Sequence, residues 1–189
     1  MKRTGFFAAL AVVSTIAVAA PAMAGTTFDT VKARGVLNCG VHTGLAGFGA
    51  PDDKGEWAGL DVDVCKAVAA ALFGDAKKVK YVPLTTQQRF TALQSGEIDM
   101  LSRNTTITSQ RDTELGLNFG PVNFYDGQVF LISKKLANVK NAKDLKGATI
   151  CVLPGTTTEL NLTDYFRANK MNFKPVVIEK QDELAAAFF

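Results

Sequence analysis

The stretch that decides the fold runs from Val36-Leu37-Asn38-Cys39-Gly40-Val41, through Val79-Lys80-Tyr81-Val82-Pro83-Leu84, to Ile98-Asp99-Met100-Leu101. Each segment is a short apolar run of strand length, and Gly35 breaks the chain just before the first. A helical pattern separates each pair of runs. The first helix begins at Asp61, sets Val62, Cys65, Val68, Ala69 and Leu72 along one face at spacings of three and four, and ends at Gly74. The second is capped by Thr85 or Thr86, carries Phe90 and Leu93, and stops at Gly96. Strand, helix, strand, helix, strand predicts an α/β fold with a parallel sheet covered by helices.

In open sheets of this kind, ligands sit beyond the carboxyl ends of the strands. The loops there are His42 to Gly49, after the first strand, and Ser102 to Thr108, after the third. The third-strand loop continues as Ser102-Arg103-Asn104-Thr105-Thr106-Ile107-Thr108-Ser109-Gln110-Arg111, which crowds hydroxyls, an amide and guanidinium groups into a few residues. Thr108 or Ser109 is the expected N-cap of a short helix, which places Arg111 in its first turn. After the glycine-rich first loop, Pro51 to Gly55 is a turn signal, and Glu56 to Gly59 returns the chain as a small hairpin or flap with Trp57 in its core. His42 has no acidic or cysteine neighbour in sequence and is read as a loop residue without chemistry.

Farther along, Asn118 to Tyr125 is irregular, and a crossing between two lobes is expected near residues 122–126. Gln128 to Ser133 is an expected strand, Asn141 to Lys146 a short polar helix, and Ala148 to Val152 a buried strand. Thr156 three residues before Glu159 fits a capping box. The helix from Thr157 to Asn169 is expected to bury Leu160, Phe166 and Leu162, followed by a strand at Pro175 to Ile178 and a helix from Asp182 to Phe189. This divides the chain into a leader (1–24), a first lobe (25–124) and a partial second lobe (125–189). The Ala-Ala-Ala-Phe-Phe ending, apolar and uncapped, gives the expectation of a fragment.

Composition narrows the class. Lys2 and Arg3, the apolar run Phe6 to Ala20 and Ala22-Met23-Ala24 form a secretory signal peptide cut after Ala24, with no second apolar stretch to hold the mature chain in a membrane. Loss of Lys2 and Arg3 takes the formal charge from +3 to +1. A nearly neutral chain without a basic stripe carries no footprint for nucleic acid. Cys39, Cys65 and Cys151 enter an oxidising compartment, an odd count that leaves one thiol over. Cys39 on the first strand and Cys65 on the helix packed against it can approach, although spacing alone leaves the pairing open. With widely spaced cysteines and one histidine there is no metal-ligand pattern, and no cofactor is expected.

Three blocks carry a family resemblance: Gly59-Leu60-Asp61-Val62-Asp63-Val64 followed by Val68-Ala69; Ile98-Asp99-Met100 with Asn104 to Thr108 and Arg111; and Val152 to Glu159. They resemble the periplasmic amino-acid-binding proteins of ABC-type uptake systems. Cys39-Gly40-Val41, Gly44 to Phe48 and Cys65 are most similar to the general L-amino-acid-binding subfamily. The resemblance implies a two-lobed, type II-like periplasmic-binding-protein fold, each lobe a sheet flanked by helices, here with the second lobe incomplete. It implies that Arg111 holds an α-carboxylate, a pairing the bidentate guanidinium fork suits. It implies that Asn104 and Thr106 serve the α-ammonium and carboxylate, that Thr156 and Thr157 offer helix-start amides, and that Leu45 and Phe48 line the side-chain pocket. Many relatives stack an aromatic ring where Leu45 stands, so the aliphatic residue suits broad specificity. The resemblance further implies that the family's acidic acceptor for the ammonium lies downstream of Phe189, and that Cys151 would pair with a residue beyond it.

The resulting expectation is a monomeric, non-catalytic periplasmic carrier whose partners are an L-amino acid and a membrane permease. Two alternatives remain at this level. One is a dehydratase of a prephenate-like acid on the same scaffold, against which stands the lack of a carboxylate or histidine suitably placed in the two ligand loops. The other is the ligand-sensing domain of a receptor.

Overall fold

A computed structural model describes residues 27–136 and 138–189, so the expected signal peptide and its cleavage after Ala24 lie outside the described residues. Helix α1 (Thr27–Arg34) leads into the central strand β1 (Leu37–His42), one residue later than the apolar run suggested. A two-stranded hairpin follows, β2 (Ala50–Pro51) against β3 (Trp57–Ala58). Its turn is tied by the Asp52 carboxylate, whose Oδ1 accepts the Lys54 and Glu56 N–H groups at 2.8 Å each. Trp57 packs on the core beside Tyr81, ring to ring at 5.9 Å, as the hairpin reading requires.

Helix α2 (Leu60–Phe73) starts at Gly59 and is closed by Gly74 in the left-handed conformation. Gly59 has φ 123°, and a Cβ there would fall 2.4 Å from the Phe48 carbonyl, so only glycine lets the helix start pack on the preceding loop. Strand β4 (Val79–Leu84) pairs in parallel with β1 along its whole length, and β5 (Met100–Leu101) pairs on the other side. The order β4-β1-β5 is the parallel sheet expected from the alternating pattern.

Strand β5 is shorter than the run Ile98 to Leu101. Ile98 turns inward against Leu84 and Ala92, while the Asp99 carboxylate accepts the Asn38 N–H at 2.7 Å and pairs with Arg34. Between β4 and β5 lies α3 (Arg89–Gln94). The cap expected from Thr85 or Thr86 does not form: the helix N-cap is Gln88, without a side-chain bond, and the Thr85 hydroxyl instead accepts the Gln88 N–H at 3.4 Å in the turn that leads into the helix. Cys39 and Cys65 form a disulfide between β1 and α2, with Cα atoms 6.2 Å apart, which resolves the pairing the sequence left open. Together with Val41 and Val62 these sulfurs make a fully buried cluster.

The second sheet is smaller. Strands β6 (Thr149–Val152) and β7 (Lys174–Val177) run parallel, connected by α4 (Thr157–Ala168), and α5 (Gln181–Phe188) follows. Their core is Leu145, Val152, Leu162 and Phe166. Leu160, expected inside, is instead 55% exposed. Leu162 and Phe166 lie four apart on one helical face, whereas a residue two before Leu162 points away from it.

The expected strand at residues 128–133 does not form. Phe130 still faces the core, its ring 6.4 Å from that of Phe166, but Val129 and Leu131 are 90% and 66% exposed. The run Val129 to Ile132 is continuously apolar and of strand length, yet among the described residues no strand offers it the ladder bonds that define a sheet. The expected helix at 141–146 is a 3₁₀ turn at Ala142–Leu145, opened by a reciprocal Asn141–Asp144 cap. Among the described residues, no helix is long and apolar enough to cross a membrane.

Candidate functional site

The carboxyl ends of β1, β4 and β5 share one rim, and three arginines are buried there: Arg89 at 2%, Arg103 at 6% and Arg111 at 7% exposure. Arg111 sits in a π-helical turn, Gln110–Glu114, rather than in an α-helix. Thr108 supports that turn, its hydroxyl accepting the Arg111 N–H at 3.2 Å, while Ser109 makes no side-chain cap. The Arg111 Nη1 donates to the Thr106 carbonyl at 2.7 Å and Nη2 to the Gly155 carbonyl at 3.4 Å. Arg89, at the start of α3, gives Nη1 to the Asn104 carbonyl at 3.2 Å and to the Thr105 hydroxyl at 3.3 Å, and Nη2 to the Gly155 carbonyl at 3.1 Å. The Phe90 ring lies under both guanidinium groups, 4.6 Å from that of Arg89 and 5.0 Å from that of Arg111.

Arg103 reaches deeper. Its Nη1 donates to the Leu84 carbonyl at 2.5 Å, and Nε and Nη2 converge on the Asn104 side-chain oxygen at 3.3 and 3.1 Å. Asp61 is buried close by; its Oδ1 accepts the Asn123 amide at 3.4 Å, and its main-chain carbonyl accepts the Ser102 hydroxyl at 2.8 Å. His42, the last residue of β1, is buried with Nδ1 accepting the Gly44 N–H at 2.9 Å.

The electrostatics follow from crowding cations out of water. Burial, then Arg103 and Arg111, bring Arg89 down to about 9. Burial takes Arg103 to about 10, with the Asp61 carboxylate pulling the other way. Burial also lowers Arg111. Burial, followed by Arg103 and Arg89, holds His42 down at about 4, so its imidazole is neutral at ordinary pH. Burial raises Asp61 above the ordinary carboxylate value, opposed by the Asn123 bond and Arg103.

Across from this rim stands the N-terminus of α4. Thr156 caps it, its hydroxyl accepting the Glu159 N–H at 3.1 Å, and Glu159 reaches back to the Gly155 N–H at 2.9 Å, one residue beyond the expected capping box. The amides of Thr157 and Thr158 precede the first intrahelical bond and carry the positive end of the helix. Thr157 and Thr106 meet hydroxyl to hydroxyl at 3.2 Å. Gln128 steadies the same helix start, donating to the Thr158 hydroxyl at 3.1 Å and accepting from the Asn161 amide at 2.8 Å.

Of the expected site residues, Arg111, Thr106, Thr156 and Thr157 thus lie together, with Asn104 joined to them through Arg89. The Asn104 and Thr106 carbonyls, expected to face an ammonium, here accept from Arg89 and Arg111. Leu45 bridges back to Gly49 within the loop after β1, and the Phe48 ring stands edge-on to Phe124 at 4.9 Å.

Arg89, Arg103, Asp61 and His42 were missed as site residues. A signal existed for the first, because the loop after β4 ends on the same rim as the other two and leads straight into Arg89. His42, expected to be an idle loop residue, is instead the buried end of β1. Among the described residues, no group of His, Cys, Asp and Glu is arranged to hold a metal.

A buried set of guanidinium groups facing a helix N-terminus is suited to gripping a carboxylate. The chain is 61% identical over 173 residues to the general L-amino acid-binding periplasmic protein AapJ of Rhizobium johnstonii, covering 92% of this chain and 50% of that one. It is 56% identical over 190 residues to the glutamate/glutamine/aspartate/asparagine-binding protein BztA of Rhodobacter capsulatus, covering 98% and 55%. A periplasmic binding protein from Brucella ovis, solved with glutathione bound, superposes with a TM-score of 0.80 at 62% identity, covering 86% of this chain and 51% of that one. The chain spans about half the length of the relatives it matches. The profile of bacterial extracellular solute-binding proteins, family 3, matches residues 37–188, and the chain belongs to that family.

Proposed function

We propose that this chain is the ligand-capturing part of a periplasmic solute-binding protein that takes up L-amino acids with broad specificity and hands them to an ABC-type membrane permease. The observation that carries this is the pair Arg89 and Arg111, whose buried guanidinium groups share the Gly155 carbonyl in front of the α4 N-terminus. A ligand α-carboxylate is a stronger acceptor than that carbonyl and would displace it, reached from one side by the arginines and from the other by the Thr157 and Thr158 amides. Asn104 and Thr106 serve the ammonium end, and Leu45 with Phe48 borders the variable side chain. An aliphatic Leu45 imposes no ring geometry on that side chain, which favours breadth.

In this reading residues 25–124 form one lobe and the chain from residue 125 contributes to the second. The crossing lies near 122–126, where Asn123 is bound to Asp61 and Phe124 rests on Phe48. Closure of the lobes on the ligand is a population shift that the permease recognises. The leader is removed after Ala24 in the course of export, and the carrier works as a monomer without catalysis or cofactor. The AapJ and BztA likenesses support the ligand class. Calorimetric titration with a panel of L-amino acids tests it: several members should bind, their D-enantiomers should not, and a chain that binds none of them would sink the reading.

A further inference from the structure

Arg103 is the one rim arginine that does not reach toward Gly155. Its guanidinium is spent inside the first sheet, on the carbonyl that ends β4 and on the side-chain oxygen of Asn104. The bond to Asn104 is a two-nitrogen fork onto a single oxygen, so it constrains direction as well as distance. The Asn104 carbonyl then accepts from Arg89, and two residues on the Thr106 carbonyl accepts from Arg111. Both ligand-facing arginines are therefore propped on a loop whose own anchor is Arg103. The side chain of Asn104 is otherwise exposed, while the loop around it is held at Ser102 by the Asp61 and Gly40 carbonyls and at Thr106 by the Thr157 hydroxyl, so Arg103 is the anchor that acts at residue 104 itself.

Placing a third cation beside Arg89 is electrostatically unfavourable, and only Asp61 among the neighbouring groups draws Arg103 the other way. A cation kept at such a place needs a compensating use. We infer that Arg103 is a positioning residue for the ligand site: it locks Asn104 onto the end of β4 and thereby presents the 104–106 carbonyls that aim Arg89 and Arg111. This rests on the carrier function proposed above, and it assigns Arg103 no contact with the ligand.

The test compares Arg103→Lys, Asn104→Ala and the double variant. Lysine keeps the charge and a donor for Leu84 but cannot fork onto Asn104. Affinity for L-glutamine is read by calorimetry, and exchange of the 104–106 amides by hydrogen–deuterium exchange without ligand. Each single variant is expected to bind about tenfold more weakly, and the double variant no worse than the singles, because both remove one coupling. Exchange at 104–106 should quicken in Arg103→Lys while β1 and β4 stay protected. Losses that add in the double variant, or unchanged exchange at 104–106, overturn the inference. A wild-type chain that binds no amino acid while Arg103→Lys still loosens the loop would refute the carrier reading and leave the loop anchor standing.

Discussion

The two sheets are built from the same strand–helix–strand unit but differ in what they can hide. In the first, β1 has a neighbour on each side, a disulfide ties it to α2, and four core residues are fully buried. In the second, β6 has one neighbour, β7 is exposed along its length, and residues 128–133 lie beside the core without joining the ladder. The functional groups divide accordingly. Buried charge costs several kcal/mol per ion unless hydrogen bonds and partners offset it, and only the three-stranded sheet carries it: Arg89, Arg103, Arg111 and Asp61. The second sheet contributes neutral groups, the Gly155 carbonyl and the threonines at the start of α4. In the proposed carrier, the first sheet would hold the ligand's charge while the second supplies backbone and hydroxyl contacts.

The largest expected effect tests how much the smaller sheet rests on one ring. Phe166 is 1% exposed and touches Phe130, Tyr165 and Phe173. Phe166→Ala should destabilise that half by about 3 to 5 kcal/mol, seen in urea unfolding as early loss of the second sheet while the first persists. Simultaneous loss of both would show that the sheets unfold as one unit.

The corresponding strike at the first sheet is Cys39→Ala with Cys65→Ala. The bridge spans 26 residues, and its removal should cost about 3 kcal/mol in the loop-entropy account, read as a lowered melting temperature. If the double variant melts with the wild type, the greater solidity of the first sheet comes from strand pairing alone.

At the site, Arg111→Ala should cost on the order of 1.5 to 3 kcal/mol of binding, about one to two decades in affinity for every amino acid that binds. Calorimetry on the variant decides it, and undiminished affinity removes Arg111 from the carboxylate role. Thr156→Ala should be mildest, costing about 1 kcal/mol of stability through loss of the α4 cap. It should weaken binding less than Arg111→Ala does, because the ligand-side contribution assigned to α4 is main-chain. A larger loss of affinity at Thr156 than at Arg111 would reverse the division of labour between the sheets.

Much of this was legible in order and period. The alternation from Val36 to Leu101 set the parallel sheet, Gly74 ended α2 where expected, and Thr156 capped α4. Legibility failed where the outcome depended on what lies alongside. The apolar run at 129–132 has strand length, but a strand exists only if a neighbour completes its hydrogen bonds. Leu160 and Leu162 are the same residue type two apart, and the core's position, rather than hydropathy, decided which one it buries. Arg111 stood out because hydroxyls and an amide surround it in sequence. Arg89 was not singled out, and Arg103 stood in the third-strand loop without a role of its own, because the carbonyls of Gly155 and Leu84 that hold them are far away in the chain.

By itself, the sequence determined most of the local alphabet of this protein: the strands of the first sheet, where α2 and α4 start and stop, and that a guanidinium and hydroxyls follow the third strand. Those features depend on backbone conformation and on periodicities a few residues long. The tertiary structure decided that three arginines share one rim, that Cys39 meets Cys65, and that the α4 N-terminus faces Arg111. Such contacts depend on long-range closure, and burial then turns ordinary arginines into crowded, partly desolvated donors whose directions are set by distant carbonyls.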